Sequence, residues 1–325
     1  MSHRTRHHTL LLVACFAAVY LIWGSTYVGM KVAVQRIPPM LLGGGRFLLA
    51  GLCLMAIVAA FGGLKLAWLR EWRYWRTASL SGAFMMLGGN GLLCASLQRQ
   101  VPSGVAALIV GGTPIWMVTF DRLQTRRGLP TARVIVGMAI GLAGVGTLVS
   151  ASLADTSVRD HIDPVGALMV LCSTALWGYG SIVGRPLPQP QNAFVGSAMQ
   201  MIVGGMLMLA ASAVVERGGW APVAGIPRND KVWIATAYLA FAGSLLGFSA
   251  YMWLIRNASA AAVATYAYVN PLVAVLLGWL ILGETIAART ALAAALILGG
   301  VVLMQTGRRH DAGEHRVKKV DEAKA

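Results

Sequence analysis

One charged side chain lies deep inside a long apolar stretch of the sequence. Arg46 follows three glycines, precedes Phe47 and stands eight residues into a run that is otherwise apolar. A guanidinium at that depth of a bilayer costs roughly 3 kcal/mol or more unless it is paired or hydrated, so we expect it to face the protein interior or a water-filled cavity. There it could bind an anionic group of a substrate, such as a carboxylate, or it could bind backbone carbonyls at a helix break.

Other polar side chains in the apolar runs are uncharged. Tyr266 and Asn270 are four residues apart, which places both on one face of a helix. Asn90 lies within another apolar run. Such groups can bind a solute, or they can form hydrogen bonds between neighbouring helices. We predict that Asn90, Tyr266 and Asn270 contact a substrate, with interhelical packing as the alternative.

Two prolines lie within apolar runs. Pro114 and Pro271 each lack a backbone N–H, and a proline inside a helix leaves the carbonyl four residues earlier without its usual donor. Interrupted helices in secondary transporters border the binding site. We predict hinges at Pro114 and Pro271, with fixed kinks as the alternative.

The residue patterns of enzymes are missing. The sequence has no His-Glu-x-x-His, no Gly-x-Ser-x-Gly and no Gly-x-x-x-x-Gly-Lys-[Ser/Thr]. All six histidines lie outside the apolar runs, and the four cysteines lie in separate runs. We therefore predict no catalytic residues, no metal and no cofactor. Asp121 and Glu284 lie at the ends of apolar runs, where a solvated or capping role is expected.

The composition identifies the kind of protein that must position these residues. Of 325 residues, 57% are hydrophobic, 38 more are glycine, and only 12% are charged. A net charge of +15 would by itself suggest nucleic acid, but the charges are too sparse for a basic binding surface. We predict an all-α integral membrane protein that has the lipid bilayer as a partner and does not bind nucleic acid.

Ten apolar runs have the length of a membrane-spanning helix. We expect helices because hydrocarbon cannot satisfy the backbone polar groups of loops or sheet edges. The predicted spans are Leu10–Met30, Pro38–Phe61, Thr77–Leu97, Ser103–Phe120, Val134–Leu153, Pro164–Gly184, Asn192–Val215, Val232–Leu254, Ser259–Leu282 and Thr290–Thr306.

The basic residues predict the orientation. With a cytoplasmic N-terminus, 18 of the 27 Lys and Arg fall in cytoplasmic segments, eight fall outside, and Arg46 lies within a span. This excess is what the positive-inside rule requires. The bias is strong in the first half of the chain, whereas in the second half only the tail restores it. We predict a multi-pass protein of the cell inner membrane with both termini in the cytoplasm.

The two halves of the chain resemble each other. Trp23-Gly24 recurs as Trp177-Gly178, and Arg46 corresponds to Gln200 at the same separation of 154 residues. Each half holds five spans, and an odd number inverts the second copy, as in many secondary transporters. We predict two inverted five-helix repeats, residues 1–153 and 154–307, followed by a charged cytoplasmic tail, 308–325. Chance similarity between glycine-rich apolar segments is the alternative.

The repeat adds three residues to the predicted site. Trp23 and Trp177 lie deep enough in their spans to line a cavity, although core packing would also suit them. Gln200 would offer hydrogen bonds where Arg46 offers a charge. We predict that all three contact the substrate, at a site near the membrane midplane between the halves.

Short motifs, taken in order, resemble those of the EamA family of the drug/metabolite transporter superfamily over about residues 10–306. They are Trp23-Gly24-Ser25-Thr26-Tyr27, Arg46-Phe47, Pro114, Asn270-Pro271, Leu282-Gly283-Glu284 and Gly299-Gly300-Val301. Four further motifs are most similar to the YedA-type exporters of that family. They are Gly89-Asn90-Gly91, Val101-Pro102-Ser103-Gly104, Leu254-Ile255-Arg256-Asn257 and Tyr266-Ala267-Tyr268-Val269-Asn270-Pro271. The resemblance implies ten helices, cytoplasmic termini and export of metabolites or amino acids.

The sequence thus predicts a secondary transporter that exports small organic metabolites or amino acids across the inner membrane by alternating access. One alternative is a multidrug or aromatic-compound exporter. Another, from a different class, is a lipid flippase or a structural membrane scaffold. A monomer and a homodimer both remain open.

Overall fold

The structure, a computed structural model, describes residues 3–126, 131–154, 163–216, 220–258 and 265–322. In these ranges the regular structure is entirely helical. Seven helices are long and apolar enough to cross a membrane. They are α1 (His8–Ala33), α2 (Pro39–Ala60), α3 (Trp72–Gln98), α4 (Ser103–Thr125), α6 (Pro164–Val183), α7 (Ala193–Val215) and α8 (Lys231–Tyr251).

Three further helices have shorter apolar parts. They are α5 (Ala132–Ala154), α9 (Tyr266–Leu282) and α10 (Ala288–Glu322). Each of the ten helices overlaps one predicted span. Most ends differ by a few residues because helices continue into polar flanks, but α10 continues to Glu322, well beyond the predicted end at Thr306. Residues 259–264, where the ninth span was predicted to begin, lie outside the described residues. An all-helical membrane protein is confirmed, whereas the count of ten spans and the inverted repeat stay predictions.

Side chains at the helix ends explain where several helices begin and end. An Asp, Glu or Asn accepts a hydrogen bond from the backbone N–H two residues later at the start of α3, α6, α7 and α8. The capping residues are Glu71, Asp163, Asn192 and Asp230. At the end of α9, Gly283 takes a left-handed conformation with φ of 65°, which glycine adopts without strain.

The helices pack in pairs that join the two halves of the chain. The most extensive contacts are α2 with α7 and α5 with α10. A Cβ on Gly137 would lie 2.5 Å from the carbonyl oxygen of Gly300, so α5 and α10 meet backbone to backbone. In addition, α1 contacts α8 and α9, whereas α6 contacts α3 and α4.

Three helices contain π-helical stretches, in which hydrogen bonds span five residues and the helix is wider. They are Val19–Trp23 in α1, Ala83–Asn90 in α3 and Leu239–Leu246 in α8. Such stretches occur frequently at functional sites. The helix α4 is also irregular, because Ser103–Gly111 ends and a second segment begins at Thr113.

Contacts between helix ends define two opposite faces of the bundle. The Lys31 face is where α1 and α3 end and α2 and α4 begin; there, the Lys31 ammonium binds the Leu97 carbonyl. At the opposite face, the Arg185 face, the Arg185 guanidinium lies 4.0 Å from the Asp121 carboxylate. The distribution of basic residues predicts that the Arg185 face is cytoplasmic.

Candidate functional site

A cavity lies between α1, α2, α3, α4, α6, α8 and α9. Its empty volume is about 870 Å³, including the part open to the outside. Six residues predicted to contact substrate line it: Trp23, Arg46, Asn90, Trp177, Tyr266 and Asn270. Residues from both predicted repeats therefore meet at one cavity.

The guanidinium of Arg46 is almost completely buried at the cavity wall. The residue is 5% exposed, and its Nη2 donates a hydrogen bond of 2.5 Å to Oδ1 of Asn90. Its central carbon lies 4.5 Å from the ring centre of Phe47. Arg46 is the one charged side chain among the described residues that line the cavity. Its positive charge therefore meets an amide and a ring there, and the cavity wall offers it no carboxylate.

Three buried polar atoms at the cavity have no hydrogen-bond partner among the described residues. They are Nε of Arg46, Oγ of Ser244 and Oδ1 of Asn270. Ser244 is 3% exposed and Asn270 is 5% exposed. A buried polar atom without a partner costs about 1–3 kcal/mol. A donor from α2, a hydroxyl from α8 and an acceptor from α9, all on residues that line the cavity, are thus left without a partner among the described residues.

Aromatic side chains from α1, α8 and α9 form one wall. The centre of the Trp23 ring lies 5.5 Å from the centre of the Tyr266 ring, in an edge-to-face arrangement, and 6.4 Å from the centre of the Phe248 ring. The indole Nε1 of Trp23 donates a hydrogen bond of 3.1 Å to the carbonyl of Gly243, within the π-helical stretch of α8. A Cβ on Gly247 would lie 2.6 Å from this indole nitrogen. Because Gly247 has no side chain, the indole of Trp23 can lie against α8 at this position.

The irregularities of α4 and α9 lie against each other beside the cavity. A Cβ on Gly111 would lie 3.2 Å from both the Ala267 carbonyl oxygen and the Pro271 ring. Pro271 lies inside α9 and cannot donate to that carbonyl. Pro114 lies in the first turn of the second segment of α4, where a missing N–H costs nothing. The interruption therefore falls at Gly112, just before Pro114.

Gln200 is not among the described residues that line the cavity. It lies on α7, and its Nε2 donates a hydrogen bond of 3.1 Å to Sδ of Met85 on α3. The structure therefore separates Gln200 from the six predicted contacts that it brings together.

Sequence reasoning missed Ser244. A serine in an apolar run is common in membrane helices, so its type gives little signal. However, Gly243-Ser244 follows Gly89-Asn90 by 154 residues, the separation that relates Trp177 to Trp23. Testing this separation along the whole chain would have identified Ser244 as the counterpart of Asn90.

Comparisons with known proteins concern the family and the fold of the chain. The model of the EamA-like transporter family matches residues 10–150 and 164–306. The chain is 36% identical to the "Uncharacterized inner membrane transporter YedA" of Escherichia coli (strain K12), over 92% of both chains. It is 25% identical to a "Probable amino-acid metabolite efflux pump" of Salmonella typhimurium, over 90% of this chain and 93% of that protein.

One solved crystal structure is similar in fold. The TM-score is 0.60 at 21% identity, and the match covers 92% of this chain and 97% of the other. At that identity the match concerns the helical architecture alone.

Proposed function

The chain belongs to the EamA-like transporter family, and from this we propose that it is a secondary transporter that exports a small metabolite or amino acid through the cavity described above. The family comprises membrane transporters, so the prediction that the protein is not an enzyme is confirmed. The substrate class and the direction of transport are the proposed part.

The observation that carries the proposal is the set of three unpartnered polar atoms in one aromatic-walled cavity. Nε of Arg46 is a cationic donor, and carboxylates bind guanidinium groups strongly. Oδ1 of Asn270 is an acceptor, which suits an ammonium or amine, and Oγ of Ser244 can do either. A zwitterion could form hydrogen bonds with all three atoms, while its side chain packs against Trp23 in the apolar wall.

Alternating access requires two halves that move around a shared site, and several features support this. The family model matches two separate ranges, one in each proposed repeat, 1–153 and 154–307. The packing also has the symmetry of two repeats. In the proposed repeat, α1, α3 and α4 correspond to α6, α8 and α9. As expected from this, α1 contacts α8 and α9, whereas α6 contacts α3 and α4. We propose the inverted repeat on these grounds.

An exporter of aromatic compounds is the second candidate, because Trp23, Tyr266 and Phe248 border the cavity. The charge of the compound decides whether the cavity suits it. A cationic drug would meet the unneutralised guanidinium of Arg46, whereas a neutral or anionic aromatic compound would not be repelled.

Transport in proteoliposomes tests the proposal. Labelled zwitterionic amino acids, aromatic acids, cationic amines and a fluorescent lipid would be assayed separately, with and without a pH gradient. We expect uptake of zwitterions and exclusion of cationic amines. Flux of aromatic acids without flux of zwitterions would favour the exporter of aromatic compounds. Flux of cationic amines alone would contradict the role proposed for Arg46, and lipid scrambling without solute flux would overturn the proposal.

The orientation needs its own measurement. Reporter fusions at Gly62 and at the C-terminus should both report the cytoplasm if the Arg185 face is the inner one. An external C-terminus beside a cytoplasmic Gly62 would contradict the count of ten spans, whereas external reporters at both places would contradict the proposed orientation.

A further inference from the structure

We infer that Glu216 and Glu284 form a carboxylate latch that keeps the Lys31 face closed, and that this face opens when the two carboxylates release the helices they hold. The inference rests on the proposed alternating access, because it assigns the contacts that must break when the two halves move apart at this face.

Glu284 binds the start of α4. It follows the end of α9, and its Oε1 accepts a hydrogen bond of 2.7 Å from the backbone N–H of Ser103. Its Oε2 accepts bonds of 2.9 Å from the Ser103 hydroxyl and 3.2 Å from the Gly104 N–H. The carboxylate thus satisfies N–H groups that have no partner within the helix, at the positive end of its dipole.

Glu216 does the same at the start of α2. It follows the end of α7, and its two oxygens accept bonds of 2.8 Å from the Met40 N–H and 3.1 Å from the Leu41 N–H. The hydroxyl of Ser212, one turn earlier, donates a bond of 2.5 Å to the same carboxylate and fixes its direction.

These two caps differ from the other side-chain caps in the part of the chain that the structure describes. The helices α3, α6, α7 and α8 are capped by the residue that immediately precedes them, which moves with its own helix. In contrast, α2 and α4 begin after Pro38 and Pro102, which supply no capping side chain. Both helices belong to the first half of the chain, and both receive their cap from the second half. A movement of one half against the other would break these caps and leave the local caps intact.

Lys31 binds the turn between α3 and α4, next to the helix start that Glu284 caps. Its ammonium donates bonds of 3.0 Å to the Leu97 carbonyl, 3.1 Å to the Val101 carbonyl and 3.3 Å to the Gln100 side chain. All three donors are therefore used at the turn between α3 and α4. This turn stays with α1, so separation of the halves here would break the bonds that Glu284 and Asp163 of the second half make to it.

The Arg185 face is joined across the halves by weaker contacts. The Thr77 hydroxyl donates a bond of 2.9 Å to the Pro188 carbonyl, and Asn192 donates one of 3.1 Å to Gly63. The Asp121–Arg185 ion pair joins an exposed guanidinium to a partly buried carboxylate over 4.0 Å. Bonds to charged groups are stronger than neutral ones, and exposed ion pairs contribute little.

The packing agrees with a closed Lys31 face. Between the cavity and this face, Met30 is 2% exposed, and Cys94, Leu97 and Val101 are 0% exposed. These side chains, from α1, α3 and the turn after α3, fill the space through which a solute would have to pass. The latch holds the starts of the neighbouring helices α2 and α4 against the second half of the chain.

Labelling of a cavity cysteine from each side of the membrane tests the latch without any substrate. Thr113→Cys would report the cavity in a background without Cys15, Cys53, Cys94 and Cys172. Gln35→Cys and Arg73→Cys would mark the Lys31 and Arg185 faces. A membrane-impermeant maleimide would be applied to cells and to inside-out vesicles.

With the latch intact, we expect the cavity reporter to react from the Arg185 face. Combined Glu216→Gln and Glu284→Gln should raise its labelling from the Lys31 face by roughly tenfold, because neutral acceptors bind helix N-termini more weakly. The matched control is Asp230→Asn, which changes a local cap at the same face and should leave the labelling unchanged.

Equal labelling from the Lys31 face in the double variant, the control and the parent would overturn the latch. So would a reporter that reacts from neither side in any variant. If the double variant does not accumulate in the membrane, Ser103→Ala removes one donor and should shift labelling in the same direction by a smaller factor. A shift in labelling without amino-acid transport would support the latch while the proposed substrate class fails.

Discussion

Arg46 and Gln200 occupy corresponding positions of the proposed repeat, in two helices that pack against each other, yet of the two only Arg46 lines the cavity. Arg46 on α2 lines the cavity and donates a hydrogen bond to Asn90, while its Nε has no hydrogen-bond partner among the described residues. Gln200 on α7 turns toward Met85 on α3 instead. A corresponding position in the proposed repeat therefore does not determine which neighbour a side chain faces.

The second half contributes to the cavity through other helices. Ser244 on α8 and Asn270 on α9 supply its unpartnered oxygens, while the positive charge comes only from α2 among the described lining residues. The cavity thus has a cationic side and an accepting side, one from each half. Such an arrangement would orient a zwitterion in one direction.

Arg46→Gln, which copies the residue of the second half, should have the largest effect. We expect transport of a carboxylate-bearing substrate to fall roughly 10- to 100-fold, since a hydrogen bond to a charged group contributes about 1.5–3 kcal/mol. Thermal unfolding in detergent should show equal or greater stability, because a buried charge without a counter-ion is removed. Unchanged transport with normal folding would make Arg46 a purely structural residue.

Asn270→Leu tests the accepting side and should have a smaller effect. The change removes a neutral acceptor, so we expect transport of an amino acid to fall about five- to tenfold, in line with about 1 kcal/mol per neutral hydrogen bond. A substrate analogue without the amino group should be transported equally by the parent and the variant. Equal losses for both compounds would contradict a contact between Asn270 and the amine.

The sequence predicts the spans and their polar residues well for a physical reason. Apolar length and the cost of a buried charge are set by the bilayer, so Arg46 and the membrane helices are recognisable without any structure. The direction of each side chain around its helix is not set by the bilayer. Each residue of an α-helix is rotated by about 100° from the one before it, and a π-helical stretch changes this angle. The stretches Ala83–Asn90 and Leu239–Leu246 lie immediately beside or within the cavity wall, and nothing in their composition predicts them.

Gln200→Ala is the counterpart of the first variant, and we expect a change of less than about twofold in transport. Its amide bonds to a thioether, and such sulfur acceptors are weak. Measuring Gln200→Ala beside Arg46→Gln in the same liposomes tests directly whether the repeat is functionally unequal. A large loss from Gln200→Ala would show that the second half also uses its α7 position during the transport cycle.

The smallest effect is expected where the halves meet outside the membrane. Arg99, after α3, pairs with Asp163 before α6, and this hydrogen bond to the guanidinium holds the pKa of the Asp163 carboxyl below its ordinary value. A lowered pKa stabilises the folded state at pH values above the ordinary pKa of about 3.9, and the contribution disappears as the pH falls through the lowered value. Asp163→Asn keeps the cap on α6 and removes only the charge, so it should reduce the free energy of unfolding by less than about 1 kcal/mol at pH 7. The difference between parent and variant should shrink as the pH falls below about 4 and vanish once the pH lies below the lowered pKa of Asp163. A difference that persists in acid would mean that the cap, and not the ion pair between the halves, is what Asp163 contributes.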